Sequence, residues 1–343
     1  MERLMQLFVK TAGPVLTVLL ALSMAFAVSK TGTTAAKFLS IGAGSKAVSM
    51  GGAFTAIADD ATAMYWNPAG IARLTEGEFL VNHTKWVADI SFNYLGFVKP
   101  LTKGSSFGLN VTSVTMNDMD VTAYGTDEFT GETFTAGQYA LGVAYGIQLT
   151  DRFSIGANGK YISEHISNEK ASSLAIDIGT LFDTPYGFRL GTSISNFGPK
   201  MKMTGKDLLV RVDVAGNMEG DNQSINGVID TDYFDLPLLL RVGLSGDFNL
   251  QNAAKVTWSI DALHPNDNSE YLNAGLQVGF LGDLLVFRGG SKAILMNDRE
   301  EQFTLGAGIN YPLKYGGKFY FDYAYELMTH LGDLHKFTLR MTF

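Results

Sequence analysis

From Glu78 onward, apolar positions recur at every second residue. Tyr139, Leu141, Val143, Tyr145, Ile147 and Leu149 alternate with Ala140, Gly142, Ala144, Gly146 and Gln148; Phe303, Leu305, Ala307, Ile309 and Tyr311 alternate with Gln302, Thr304, Gly306, Gly308 and Asn310. A period of two puts successive side chains on opposite faces of a strand, so each segment has one oily face and one polar or small face. The pattern predicts 14 strands, near residues 77–87, 89–98, 105–116, 137–150, 152–165, 171–182, 187–197, 236–246, 254–263, 269–280, 283–292, 301–312, 317–328 and 333–343. Their length suits a tilted crossing of a bilayer. Oil outside and a polar lumen inside is the pattern of a transmembrane barrel.

The connections agree with that reading. If the first strand runs outward, every even connection is an inner turn, and 99–104, Asp151, 183–186, 247–253, 281–282 and 313–316 are all short. The long connections, 117–136 and 198–235, fall on the outer side, as in bacterial outer-membrane barrels. Pro100, Pro185, Pro199, Pro265 and Pro312 sit at strand ends or turns, where a missing N–H is harmless. Trp86, Tyr311 and Tyr325 lie toward strand ends, as an interfacial aromatic belt would place them. The last segment alternates through Phe337, Leu339, Met341 and Phe343, and proteins built by the outer-membrane insertion machinery look like this. The expected fold is all-β: a 14-stranded antiparallel transmembrane β-barrel with an N-terminal hatch inside the lumen. A soluble β-sandwich is the competing reading.

The first 27 residues read as a signal peptide, with Arg3 and Lys10 before an apolar run that ends in Ala25-Phe26-Ala27. Three parts are thus expected: a signal peptide over 1–27, a hatch over 28–76 and a barrel over 77–343. The net charge of −8 and the lack of a basic patch exclude nucleic acid as a partner. There is no cysteine, so disulfides, thiolate metal sites and cysteine nucleophiles are excluded. The 38 glycines would weaken free-standing strands but suit a crowded, closed barrel.

Residues 37–74, KFLSIGAGSKAVSMGGAFTAIADDATAMYWNPAGIARL, do not alternate. Asp60 is placed to cap a helix starting at Ala61, Pro68 to stop it, and Asn67-Pro68-Ala69-Gly70 to turn toward the first strand. This segment resembles the PorV/PorQ family of outer-membrane proteins, itself similar to the FadL-type long-chain fatty acid transporters. The match is carried by Phe38–Ala47, by Met50–Asp60 and by Met64-Tyr-Trp-Asn-Pro-Ala-Gly70. The resemblance implies an outer-membrane location and two alternative roles. The role expected first is uptake or translocation of hydrophobic small molecules through a hatch-gated barrel; the alternative is an adaptor or shuttle that binds the C-terminal sorting domains of type IX cargo. A structural outer-membrane protein is a third reading. The partners expected are outer-membrane lipid, the insertion machinery during assembly, a hydrophobic ligand or detergent in the lumen, and secreted cargo or secretion components.

No enzyme activity, cofactor or metal is expected. His83, His165, His264, His330 and His335 are scattered without metal-ligand spacing, and the glycines Gly42, Gly44, Gly51 and Gly52 lack the ending of a phosphate loop. Candidate hatch or gating residues are Asp59, Asp60, Tyr65, Trp66, Asn67 and Pro68. For the two aspartates, helix capping or pairing with a lumen cation competes with a gating role and with acid-base chemistry. The parity of the strands puts Lys160, Asp177, Arg189, Arg241, Asp261, Asp322, Glu326 and Arg340 on the lumen face, where opposite charges are expected to pair across the lumen and hold the hatch. Selection of a permeant is their sharper alternative. The acidic stretch 217–235 contains NGVID but not the spacing of a calcium loop, so a plain external loop is expected, with calcium and cargo contact as alternatives.

Overall fold

The structure, a computed structural model, describes residues 32–122, 129–212, 225–250, 254–296, 299–314 and 316–343. The expected leader lies outside them. Fourteen antiparallel strands form one closed ring: β1 Glu78–Lys85, β2 Ser91–Thr102, β3 Ser105–Thr115, β4 Ala136–Thr150, β5 Phe153–Ile166, β6 Glu169–Asp183, β7 Phe188–Phe197, β8 Leu239–Leu250, β9 Ala254–Pro265, β10 Tyr271–Phe280, β11 Leu285–Ile294, β12 Glu301–Pro312, β13 Lys318–Met328 and β14 Leu334–Thr342. Closure is made by β1 against β14, in register from Glu78 opposite Thr342 to Lys85 opposite His335. Closing the ring removes the free edges that would otherwise leave a row of backbone groups without partners in lipid.

Alternation dictates burial strand by strand. Residues of β1 and β14 are alternately buried and exposed along their whole length. The exposed positions are apolar, among them Leu141, Val143, Tyr145, Phe303, Leu305 and Ile309, and this outer belt is what a bilayer requires. No helix among the described residues is long and apolar enough to cross a membrane. The inward positions are small or polar except where large apolar residues such as Leu80, Phe92, Val98 and Ile162 pack in the buried core.

Most strand ends agree with the sequence pattern within a few residues, with three instructive differences. Strand β8 begins at Leu239 rather than 236, because Leu236 packs into an apolar cluster at the outer end and Pro237 gives up its carbonyl to Asn196 Nδ2. Strand β2 continues through Pro100 to Thr102, and the ladder accommodates the proline with a register shift between Pro100 and Thr102. Trp86 is not part of an outward belt: it continues the inward parity of β1, and Lys336 Nζ lies 5.1 Å from the centre of its ring.

Outside the ring, three short antiparallel pairs extend the outer connections. They join Met119–Thr122 to Phe129–Phe134, Met201–Lys202 to Tyr233–Phe234, and Leu209–Val212 to Ile225–Val228. Residues 217–224 of the acidic stretch, and with them part of the calcium alternative, lie outside the described residues. Its described acids Asp230 and Asp235 pair with Lys202 and with Lys200, the latter at 3.1 Å.

Candidate functional site

The N-terminal segment is buried against the inward face of the strands. Its elements are short: 3₁₀ turns at Lys37–Ser40 and Pro68–Arg73, and single helical turns at Ser45–Ser49 and Ala63–Trp66. None is long enough to be stable alone, so what fixes them is contact with the wall. Gly51 has φ +67°, which an L side chain rarely adopts, and a Cβ there would lie 2.7 Å from Ala274 O and 2.8 Å from Ser291 O. This backbone therefore packs directly on β10 and β11. The glycines that superficially suggest a phosphate loop serve close approach.

Polar side chains of the wall satisfy the segment's backbone around the ring. Thr338 on β14 accepts from Ser45 N at 2.8 Å, and Glu78 on β1 accepts from Ala61 N. Tyr94 on β2 donates to Ala61 O at 3.1 Å, Asn158 on β5 to Met64 O at 3.2 Å and Ser193 on β7 to Trp66 O at 2.9 Å. Asp261 on β9 accepts from Phe54 N and Thr55 N at 3.0 and 2.9 Å, and Thr304 on β12 bonds Gly51 N at 2.9 Å and Ser49 O at 3.1 Å. Buried backbone groups without partners are costly, so these bonds define one seated position for the segment.

The six gating candidates take distinct places. Asp59 pairs with Lys46 at 2.7 Å and is half-exposed to a cavity at the inner end of the barrel. Burial raises its carboxyl, but the charge and hydrogen bonds of Lys46 outweigh that and hold it well below the ordinary carboxylate value. Asp60 does not cap a helix from Ala61. The helical turn starts later, at Ala63, and Asp60 Oδ1 instead accepts from Thr62 N at 2.8 Å and from the Thr62 hydroxyl. Asn67 and Pro68 do not lead straight to the first strand but start the second 3₁₀ turn: Asn67 Oδ1 caps Ala69 N at 3.2 Å, and Nδ2 donates to Thr55 O and to Thr180 O of β6 at 2.8 and 3.0 Å. Trp66 is buried and donates to Ala43 O at 2.9 Å. Tyr65 stands edge-on to it, donates to Leu39 O at 3.0 Å, and burial pushes its hydroxyl up to about 12.

All eight charges expected in the lumen lie on inward positions, but they pair along the wall rather than across it. Lys160 and Asp177, on adjacent strands, meet at 2.8 Å. Arg340 meets Glu78 at 3.1 Å, Asp322 meets Arg288 at 2.6 Å, and Glu326 meets Lys292 and, at 3.3 Å, Lys336. Arg189 meets Asp247 at 3.3 Å near the inner rim. Arg241 donates to Ser195 Oγ at 2.7 Å and lies 5.6 and 5.4 Å from the Tyr65 and Trp66 rings. Asp261 binds the segment's backbone. The physical reason is that the middle of the lumen is occupied, so each charge finds a partner beside it. Glu78, Asp247, Arg288, Lys292 and Lys336 complete these pairs and were missed; Lys336 shares the parity of Arg340, which was the available signal.

The segment leaves little open space. Toward the outer end is a cavity of about 90 Å³ lined by Tyr65, Trp66, Arg241, Tyr271, Lys292 and Glu301 among others. Strand β7 ends at Phe197 opposite Ile176 after a register shift, Thr204–Gly205 pairs with the outer end of β6 at Glu169 and Lys170, and the apolar space behind is filled by Phe38, Leu39, Ile162, Ala175, Met201 and Leu236. The inner end holds the larger cavity, of about 460 Å³.

A family model described as type IX secretion system protein PorV matches residues 25–208, which include the whole buried segment and the first seven strands. The chain belongs to the PorV family. Among curated protein sequences none matches. The structure is similar to the Pseudomonas putida toluene transporter TodX, at 12% identity and TM-score 0.58, covering 88% of this chain and 97% of that one. It is likewise similar to the Ralstonia pickettii toluene transporter TbuX, at 13% identity and TM-score 0.54 over 88% and 97% of the two chains. A Pseudomonas aeruginosa FadL homologue matches at 14% identity and TM-score 0.53 over 93% and 99%. At these identities the likeness is one of fold. PorV and FadL-type barrels are outer-membrane proteins, and so is this chain.

Proposed function

We propose that this PorV-family barrel is an export adaptor: a closed wall whose outer extensions bind secreted proteins, while residues 28–76, freed of a signal peptide at 1–27, act as a hatch that keeps the lumen shut. The observation that carries this reading is the pairing of an occupied lumen with exposed apolar side chains on the outer extension. Leu209, Ile225, Val228, Ile229, Tyr233 and Phe234 are all exposed on or beside the short strands between β7 and β8. Apolar side chains clustered outside the bilayer belt mark interaction surfaces. The pair Leu209–Val212 and Ile225–Val228 has no further strand partner among the described residues, so it offers edges to an extended segment of another protein. The family's description as a type IX secretion protein supports the same role. In this reading Asp59, Asp60, Tyr65, Trp66, Asn67 and Pro68 hold the hatch, and the lumen charges hold the wall in register around it.

A second reading, passage of a hydrophobic molecule, is favoured by the register shift where β7 ends beside β6 and the apolar cluster behind it. It requires Phe38 and Leu39 to leave that cluster. A deletion strain separates the two readings. Loss of surface proteins with normal uptake of hydrophobic solutes supports the adaptor, and the reverse supports passage.

A further inference from the structure

The inner cavity has a chemistry that neither reading uses. It is bounded by the turn Leu281–Leu284, by the end of β12 at Pro312 and by Lys318 at the start of β13, which places its mouth at the inner turns. Its volume of about 460 Å³ lies within the range of small-molecule sites. Five cations converge on it: Lys46, Lys255, Arg288, Lys318 and Arg340. Such a set is costly to assemble without anions: Asp322 pairs with Arg288 and Glu78 with Arg340, and Asp283 adds a further carboxylate to the lining. Asp59 binds Lys46, and Lys255 has Asp247 at 3.8 Å. Lys318 has no ion pair among the described residues.

The two arginines keep donors in reserve. Arg288 is buried, its Nε committed to Gln277 at 2.7 Å and Nη1 to Asp322 at 2.6 Å, so Nη2 has no protein partner among the described residues. Arg340, also buried, gives Nη1 to Glu78 and rests its guanidinium 3.5 Å from the centre of the Tyr320 ring, leaving Nε and Nη2. A planar guanidinium held in place by a carboxylate on one side presents a pre-arranged fork on the other, and that fork suits the paired oxygens of a carboxylate or phosphate. The competitors for these cations inside the cavity are Asp59, which belongs to the hatch segment, and Asp283 of the inner turn.

We propose that this cavity is a binding site for a small soluble anion with at least two negatively charged oxygens, of the phosphate or polycarboxylate class, entering from the inner side of the membrane. Arg288 and Arg340 hold its oxygens, Lys318 and Lys255 attract it at the mouth, and it shares Lys46 with Asp59. The site stands whether the barrel serves export or uptake.

The test is calorimetric titration of the full barrel in non-ionic detergent at low salt, with pyrophosphate and with citrate as probes and sucrose as the neutral control. One saturable site for each anion and none for sucrose is expected. Lys318→Gln, on the exposed rim, should weaken binding roughly tenfold, the loss of one charge-assisted hydrogen bond. Asp59→Asn should tighten it by a similar factor, because Lys46 is released, and a purely adventitious interaction would not show this gain. Each variant is first shown to remain a closed barrel by its fast mobility on an unboiled gel. Absence of a saturable site for either anion, or equal affinity across wild type, Lys318→Gln and Asp59→Asn, overturns the proposal.

Discussion

A methyl group added to the lumen wall should unseat the N-terminal segment. Gly156, Gly275 and Gly290 occupy inward positions of β5, β10 and β11 directly beneath its backbone. A Cβ would lie 2.6 Å from Ala69 N at Gly156, 2.7 Å from Met50 Cβ at Gly275 and 2.7 Å from Gly51 Cα at Gly290, where real Cβ atoms essentially never come within 3.0 Å. These are mostly backbone atoms, so no side chain can rotate away; the segment must shift. On an open strand, replacing Gly by Ala would stabilise by roughly 0.5–1 kcal/mol, since Gly is the more flexible residue in the unfolded chain. Here overpacking should reverse the sign and cost about 1–3 kcal/mol per site. Gly159 is the internal control, because a Cβ there meets nothing within 4 Å. The assay is the midpoint of the heat-induced gel shift in detergent, with protease trimming of residues 32–74 as a second readout. Gly156→Ala and Gly290→Ala should lower the midpoint and expose the segment, while Gly159→Ala should raise the midpoint slightly and leave the segment protected. If all three behave alike, the glycines do not receive the segment and the seating described above is wrong.

Three further outcomes follow from the same contacts. Asn67→Ala removes two donated bonds and one accepted bond from a fully buried side chain, so it should destabilise by about 3 kcal/mol or more, measured as a shift in the same midpoint. Glu326→Gln leaves Lys336 buried without a carboxylate, while Lys292 keeps Glu301 at 2.9 Å, and should cost about 3 kcal/mol, part of which Lys336→Met should restore in the double variant. Asp59 has a folded-state value depressed below 3.8, so its contribution is complete above that pH and fades as pH falls below it. The difference in melting midpoint between wild type and Asp59→Asn should thus be constant from pH 5 to 8 and shrink only under about pH 4, and it should be small because the carboxylate is half-exposed.

Strands and lumen charges were legible for one reason: a period of two sets both which residues pair with lipid and which face inward. Lys160, Asp177 and Arg340 could be assigned to the lumen from parity alone. Their partners could not, because Arg340 meets Glu78 only once β1 and β14 are joined, and Asp322 meets Arg288 across an intervening strand. The buried segment was legible as a non-alternating, small-residue stretch but not in its details. Its turns are a few residues long and take their shape from the wall, so the weight given to Asp60 as a cap and to Asn67-Pro68 as an exit turn followed local propensity where tertiary contact decides. Trp86 was misplaced because a strand-end aromatic has the same sequence signature whether it faces lipid or leans over a buried lysine.

The absence of any native cysteine makes the central claim directly measurable. Ser45 and Thr338 hydroxyl oxygens lie 2.9 Å apart across the segment and β14, so cysteine sulfurs put in their places would lie within reach of each other for a disulfide. In a Ser45→Cys, Thr338→Cys double variant expressed in the native outer membrane, the account predicts an oxidised cross-link with the hatch locked, and delivery of surface proteins at the wild-type level. Failure of the pair to cross-link would contradict the seated hatch, and loss of surface delivery on locking, restored by reductant, would contradict a closed-lumen adaptor.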